Sequence, residues 1–358
     1  MWAGMGPASS SQTSSDAEPS GTARLVRQLT GAPSLARRIQ WQIAALMLVA
    51  IAAMTTWSYR STVEQVLSST QAALQSTLAV RSQRDSVLFE HAQQNTERLR
   101  QDFVQRLKDL GGHDPRAEFE RWFVRFPDGV VRIRPELDDH RRLPSVYLRP
   151  TVPLTPDLRR RVWAAFEAVR SWGPALTTRY YAAYIDLPGE GLVMFSPSVN
   201  WGALADASTN NYDYPPVRNS APDRNPRRRT LWSEPYYDDK AAIWMVSAIT
   251  PVDLDGRWIA SVSQDVSINE ALPSAYNLIV DEEGRLLAHP ARMEQIRTAG
   301  GALKASATGD ALLVEVAALL GGIKTEAEVR SSADQRHLLG FARLTGPGWH
   351  LVTVYPVQ

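Results

Sequence analysis

Charged residues vanish from residues 39–59, IQWQIAALMLVAIAAMTTWSY, and return on both sides of them. A helix of that length spans about 30 Å, the thickness of a bilayer core. Trp41 stands near one end and Trp57 and Tyr59 near the other, where amphipathic rings favour the interface. From residue 61 to residue 110 there is no Pro or Gly, and apolar side chains recur at helical spacing: Val63, Val66, Leu67, Leu74, Leu78, Val87, Leu88, Ala92, Leu99, Phe103, Leu107 and Leu110. The pattern predicts one long amphipathic helix that leaves the membrane and ends at Gly111-Gly112. A helix this long is expected to lend one stripe to a second copy of the chain, as a homodimer contact.

Beyond Gly112 the period shifts toward two. Residues 119–134 read as two β-rich runs around Pro127-Asp128-Gly129. Residues 155–172 predict a helix, with Thr155 as N-cap, Pro156 in the first turn and Gly173 as the stop. Residues 191–196 read as a short strand, and 200–230 as a long loop rich in Pro and Asn, of the kind that forms lids and binding loops. Two long strands, 242–251 and 257–268, are joined at Asp253-Leu254-Asp255-Gly256. Strands at 276–280 and 285–288 follow, then helices and loops over 290–329. A final hairpin, 337–344 with 349–355, turns at Gly346-Pro347-Gly348. Helices interspersed with antiparallel hairpins give an α+β fold. The expected order is a tail over 1–38, a transmembrane helix over 39–59, a long helix over 60–112, and two antiparallel-sheet modules over 113–270 and 271–358.

Composition narrows the classes. The chain has 358 residues, 44% of them hydrophobic, so it is not disordered throughout. Lys+Arg is 39 against Asp+Glu 38, which leaves no basic surplus for nucleic acid. There is no Cys, hence no disulfide, thiolate metal site or cysteine nucleophile. Residues 1–36 are rich in Gly, Pro, Ser and Thr and predict disorder. Arg24, Arg27, Arg37 and Arg38 precede the apolar run and Arg60 stands alone after it. The positive-inside bias therefore places the tail in the cytoplasm and everything past residue 60 outside.

Motifs for catalysis are missing. The chain lacks a Gly-x-Ser-x-Gly elbow, a phosphate-binding Walker loop, His-Glu-x-x-His and Gly-x-Gly-x-x-Gly. Asp253-x-Asp255-Gly256 has too few oxygen ligands for calcium and reads as a hairpin turn. The sequence thus predicts no enzyme, no cofactor and no metal. One position stands out: Asp265, in Ser261-Val262-Ser263-Gln264-Asp265, sits among small and apolar neighbours. A carboxylate there needs an Arg, backbone donors or a ligand cation. Tyr236 and Tyr237 have the chemistry to stack on a ligand or to fill a core. Arg227, Arg228 and Arg229 suit either an anion clamp or a solvated loop face.

The runs NPRRRTLWSEPYYDD and IWMVSAITPVDLDGRWIASVSQDVSI, over residues 225–268, resemble the ligand-binding module of double Cache sensor domains. YNLIVDEEGRLLAHP and GPGWHLVTVYP resemble the membrane-proximal Cache module of the same proteins. With the span and long helix, the resemblance covers roughly residues 40–358, and its wording is most like that of sensor histidine kinases, many of them hybrid. It implies two PAS-like sheets in tandem behind a long helix, and a small ligand in the distal module. In amino-acid-binding members a Tyr and an Asp of a Pro-Tyr-x-Asp turn, and the Asp ending the last long strand, line the pocket. These match Tyr236, Asp238 and Asp265. Tyr237, Trp232 and Arg229 complete the candidate set. The Arg-x-Trp-Tyr carboxylate grip of those members is not reproduced, because Arg229-Thr230-Leu231-Trp232 lacks the Tyr and stands too close to the turn. The expected ligand is a small molecule, an amino acid or organic acid among the candidates. The expected output is a histidine kinase that continues past residue 358 after a second span. The alternatives are a diguanylate cyclase, a chemoreceptor, or a membrane-tethered binding protein with no effector.

Overall fold

The computed structural model describes residues 35–268 and 277–357. The expected tail up to residue 34 and the expected module boundary at 270–271 lie outside the described residues. The chain divides into two compact units, residues 1–68 and 69–358. In the first, every described residue is helical. This helix, α1 (Leu35–Leu110), already includes residues 35–38, assigned above to the tail. Leu, Ala and Arg are strong helix formers, and nothing there stops the helix from starting early. It contains an 18-residue window of mean hydropathy 1.6 with no residue buried, and among the described residues it is the one helix long and apolar enough to cross a membrane.

Within the second unit the same helix buries Leu78, Ser82, Ser86, Phe89, Ala92, Thr96, Leu99, Phe103 and Leu107. Steps of three and four keep these residues on one face. Three members of the stripe are polar and were invisible to an apolar pattern. Each has a partner: Ser82 donates to the Arg343 carbonyl, Ser86 accepts from the Thr345 amide at 2.9 Å, and Thr96 meets Thr250 at 2.8 Å.

The helix backs two antiparallel sheets. The first is formed by β1 (Phe123–Arg125), β2 (Val131–Ile133), β3 (Ser145–Leu148), β4 (Ala182–Leu187), β5 (Gly191–Phe195), β6 (Leu231–Trp232), β7 (Tyr236–Asp238), β8 (Ile243–Leu254) and β9 (Arg257–Ser267). Their order is β1-β2-β3-β5-β4-β9-β8-β6, with β7 also on β8. The second sheet runs β11 (Leu286–Ala288), β10 (Asn277–Val280), β14 (Trp349–Pro356), β13 (His337–Leu344), β12 (Ala327–Ser331). The β8–β9 hairpin turns at Asp255 and Gly256, φ 51° and 72°, the paired left-handed residues of a tight hairpin.

Alternation assigns the faces. In β4, Ala183, Ile185 and Leu187 join a core with α2 (Arg116–Trp122), α3 (Pro156–Leu176) and the end of α1. Ala182 and Tyr184 face the opposite way, into a smaller cluster with Tyr147, Leu192, Met194 and Trp201. The second sheet repeats the arrangement. Leu78, Phe89 and Ala92 of α1 pack with Ile279, Ala342 and Leu351, while α6 (Met293–Thr298) and α7 (Ala311–Leu320) cover the other side.

Four expectations change. Residues 119–122 belong to α2 rather than to a strand, because Phe119 packs on Phe123 from a helical turn. Helix α3 starts at the Thr155 cap as read, but Gly173 does not stop it. A Cβ on Gly173 would lie 2.6 Å from that of Phe195, so its glycine permits close helix–sheet contact inside the helix. Strands β3 and β4 were not anticipated. Finally, residues 200–230 are not a structureless loop. They hold α4 (Trp201–Leu204), a 3-10 turn (Asn211–Asp213) and α5 (Pro215–Ser220). The Asn and Pro residues that suggested a loop act as caps: Asn200 accepts from the Ala203 amide, Asn210 from the Tyr212 amide, and Pro215 opens α5.

Candidate ligand pocket

The cover-facing side of the first sheet is polar along one track. The register pairs Asp265 with Ala182 on one side and with Ser247 on the other, and pairs Tyr236 with Met245. Partners directly opposite in an antiparallel ladder project to the same face. Tyr184, Asp186, Tyr236, Asp238, Ser247 and Asp265 therefore share it. The segment from Asn200 to Ser220 roofs this face and is fastened from several points. Tyr147 reaches the Thr209 carbonyl at 2.8 Å, Ser261 reaches the Pro216 carbonyl at 3.2 Å, and Asn211 donates to the carbonyls of Leu187 and Gly191 at 3.1 and 2.9 Å.

Asp265 lies 1% exposed beneath this roof. Its Oδ1 accepts from Ser247 Oγ at 2.6 Å, Tyr184 Oη at 2.8 Å and Tyr236 Oη at 3.3 Å. Tyr236 and Ser247 also contact each other at 2.9 Å. No Lys, Arg or His pairs with Asp265 among the described residues. Burial pushes its carboxyl up to about 7, the three hydroxyl donors pull it back, and the charge of Asp238 adds to the rise. Burial likewise holds Tyr184 and Tyr236 well above the usual phenol value, with the Asp265 charge as the next cause.

Asp238 is 4% exposed and accepts from Trp201 Nε1 at 3.2 Å and from the amides of Lys240 and Ala241 at 2.8 and 2.9 Å. It ties the roof to β7 and closes the turn into β8. Burial raises its carboxyl, and these donors oppose the rise. Asp186, 3% exposed, has one donor, Asn211 Nδ2 at 3.3 Å. Burial raises it to about 8, the Asn211 bond opposes this, and Asp265 adds to it.

These groups line a small cavity of about 20 Å³, together with Leu192, Met194, Tyr214 and Pro216. That is room for about one water. Tyr214 and Tyr236 separate it from an outer cleft of about 580 Å³, which carries Glu234, Tyr237, Asp239 and Lys240 on its walls. Tyr214 donates to Asp239 at 2.8 Å across that boundary.

The candidate residues are thus divided. Tyr236, Asp238 and Asp265 converge on the inner cavity. Tyr237 alternates to the other side of β7, is 42% exposed, packs edge-on to Trp244, and lines only the outer cleft. Trp232 is not at the site. Its register partner is Ala248, one step from Ser247 and hence on the opposite face, where its ring meets Phe89 at 5.1 Å and Trp349 at 5.6 Å. Arg229 is exposed and absent from both cavities, while neighbouring Arg228 turns back to hold Asp253 at 2.6 and 2.7 Å. The sequence reading missed Tyr184, Asp186, Trp201, Asn211 and Ser247. The signal for two of them was present: in Ala183-Tyr184-Ile185-Asp186-Leu187 a carboxylate alternates with apolar residues, as at Asp265.

No family model matches the chain, and no curated protein matches it in sequence. Solved structures do. The extracellular domain of a histidine kinase, soHK1S-Z6, is 14% identical, with 82% of this chain and 96% of that one covered, at a TM-score of 0.42. The ligand-binding domain of the Pseudomonas aeruginosa amino acid chemoreceptor PctB, in complex with L-Gln, is 15% identical over 51% of this chain and 71% of that one, TM-score 0.36. The ligand-binding domain of the Pseudomonas fluorescens chemoreceptor CtaA, in complex with L-leucine, is 15% identical over 53% and 77%, TM-score 0.35. These neighbours are the extracellular domain of a histidine kinase and the ligand-binding domains of two chemoreceptors.

Proposed function

We propose that the chain is the extracytoplasmic, small-ligand-sensing region of a bacterial transmembrane signalling receptor, the input part of a sensor histidine kinase. Residues 39–59 anchor it in the inner membrane, and it works as a homodimer through the exposed face of α1. The module over 113–270 binds the ligand and that over 271–358 relays the response. The observation that carries this reading is Asp265: a buried carboxyl with hydroxyl partners and no basic one among the described residues, facing a roofed cavity. Such a group is costly to ionise until a cation arrives. A ligand ammonium supplies the missing counter-charge, and charge-assisted hydrogen bonds to it favour the arrangement in which roof and sheet close on the ligand. Differential affinity for that arrangement shifts the receptor between two states.

The test is a thermal-shift screen of the full chain in nonionic detergent against primary amines, amino acids, organic acids and purines. A stabilising ligand is expected from an amine-bearing class. Asp265→Ala and Tyr236→Ala are expected to abolish its effect while the protein stays folded. Undiminished ligand affinity in both variants would remove the site.

A further inference from the structure

The pocket has a second polar end that the ammonium site at Asp265 does not use. Asp265 stands opposite Ala182 in the β4–β9 ladder, and Asp186 stands four residues further along β4 on the same face, about 13 Å away at the strand rise. Tyr184 lies between them, and Leu192 and Met194 line the same space. Asp265 is surrounded by three hydroxyls, whereas Asp186 has the single long bond from Asn211. Asn211 adds an independent sign. It is 1% exposed, lines the cavity, and its Oδ1 finds no hydrogen-bond donor among the described residues. A buried acceptor left without a donor is uncommon and costly. A carboxyl with one long hydrogen bond and an amide oxygen with none, at one end of a cavity, call for a group with several N–H donors. No Lys, Arg or His lines the cavity among the described residues, so it offers no counter-charge to a ligand carboxylate.

We propose that Asp186 and Asn211 form a second ammonium subsite, so that the pocket selects an unbranched aliphatic diamine over a monoamine or an amino acid. One ammonium sits at Asp265 and the other at Asp186 and Asn211, with the methylene chain over Tyr184, Leu192 and Met194. This rests on the reading of Asp265 as a cation site. The cavity admits about one water as it stands, so the roof from Asn200 to Ser220 parts from the sheet to admit the ligand, with the Tyr214–Asp239 bond as the contact facing the outer cleft.

The experiment is isothermal titration of the full chain in nonionic detergent with α,ω-diamines of four to eight carbons, with 1-aminopentane, and with 5-aminopentanoate. The best diamine is expected to bind about tenfold or more tightly than 1-aminopentane, since each charge-assisted contact is worth at least that factor. The aminopentanoate is expected to bind more weakly than the monoamine, because its carboxylate meets Asp186. Asp186→Asn is expected to abolish the diamine's advantage over the monoamine, and continued binding of the monoamine shows that the variant is folded. Asp265→Asn is expected to weaken both. Equal affinities for diamine and monoamine in the wild type, or a preference that survives Asp186→Asn, would overturn the second subsite and leave the first intact. Binding of no amine at all would overturn both.

Discussion

Replacing Asp186 by Asn removes a carboxyl that folding forces toward neutrality, and the consequence is a change in how stability depends on pH. Burial raises this group to about 8 from an ordinary value of 3.8. In the unfolded chain it ionises near pH 4; in the folded chain it holds its proton for about four pH units longer. A raised value means that the folded state binds the extra proton. The stabilising contribution is therefore full below about pH 4 and is lost as the pH climbs through 8. Between those limits the loss runs at about 1.4 kcal/mol per pH unit, which bounds the total at about 6 kcal/mol. Asp265 adds the same sign up to about 7. The Asp265 charge is part of the rise at Asp186, so the two contributions do not add fully. Burial lowers His289 and His350, which contribute the opposite slope below about pH 6.5. That contribution is common to wild type and variant and cancels in their difference. The assay is urea denaturation of the full chain in nonionic detergent at half-unit steps from pH 4.5 to 8.5. Asp186→Asn is expected to flatten the profile by about 1.4 kcal/mol per pH unit over pH 5 to 7, and to be the more stable protein at pH 8. Parallel profiles for the two proteins would refute the argument that Asp186 is buried without a counter-charge.

Two further outcomes follow from packing. Gly340→Ala places a Cβ 2.3 Å from Leu78 Cδ1, where α1 crosses β13, and is expected to cost about 1–3 kcal/mol of overpacking in chemical denaturation. Adding Leu78→Ala should recover part of that loss, and an additive double mutant would mean that the two residues do not meet. Trp232→Ala opens the Phe89–Trp232–Trp349 aromatic cluster and is expected to cost about 3 kcal/mol while leaving ligand affinity unchanged, because the ring is on the far face of the sheet. A loss of affinity at unchanged stability would put Trp232 back in the pocket.

Much of the architecture is legible along the chain, and the gaps have physical causes. The β8–β9 hairpin is visible because Asp255-Gly256 supplies two left-handed residues between long alternating runs. Asp265 is visible because a carboxylate among small and apolar residues has no cheap explanation. Strand β4 is quiet, since Ala182 and Ala183 carry little β preference, and with it went Tyr184 and Asp186. The roof reads as a loop by composition, yet its Asn residues cap short helices and Asn211 reaches the Leu187 and Gly191 carbonyls, which only the folded sheet brings into range. Trp232 was grouped with the pocket candidates, and its place on the opposite face was not legible, because the face of a two-residue strand depends on register and a step of one residue exchanges the faces. The polar members of the α1 stripe were missed because Ser82, Ser86 and Thr96 find their partners in distant strands and loops.

The central claim is an outward-facing pocket on a membrane anchor, and the absence of Cys from the chain makes it directly measurable. Tyr237→Cys puts one thiol at the wall of the outer cleft, at a position already 42% exposed. A membrane-impermeant maleimide is applied to intact cells whose outer envelope has been made leaky, with and without the ligand from the thermal-shift screen. Labelling without disruption of the inner membrane, slowed by ligand, is the predicted result. Labelling that appears only after the inner membrane is broken would contradict the account.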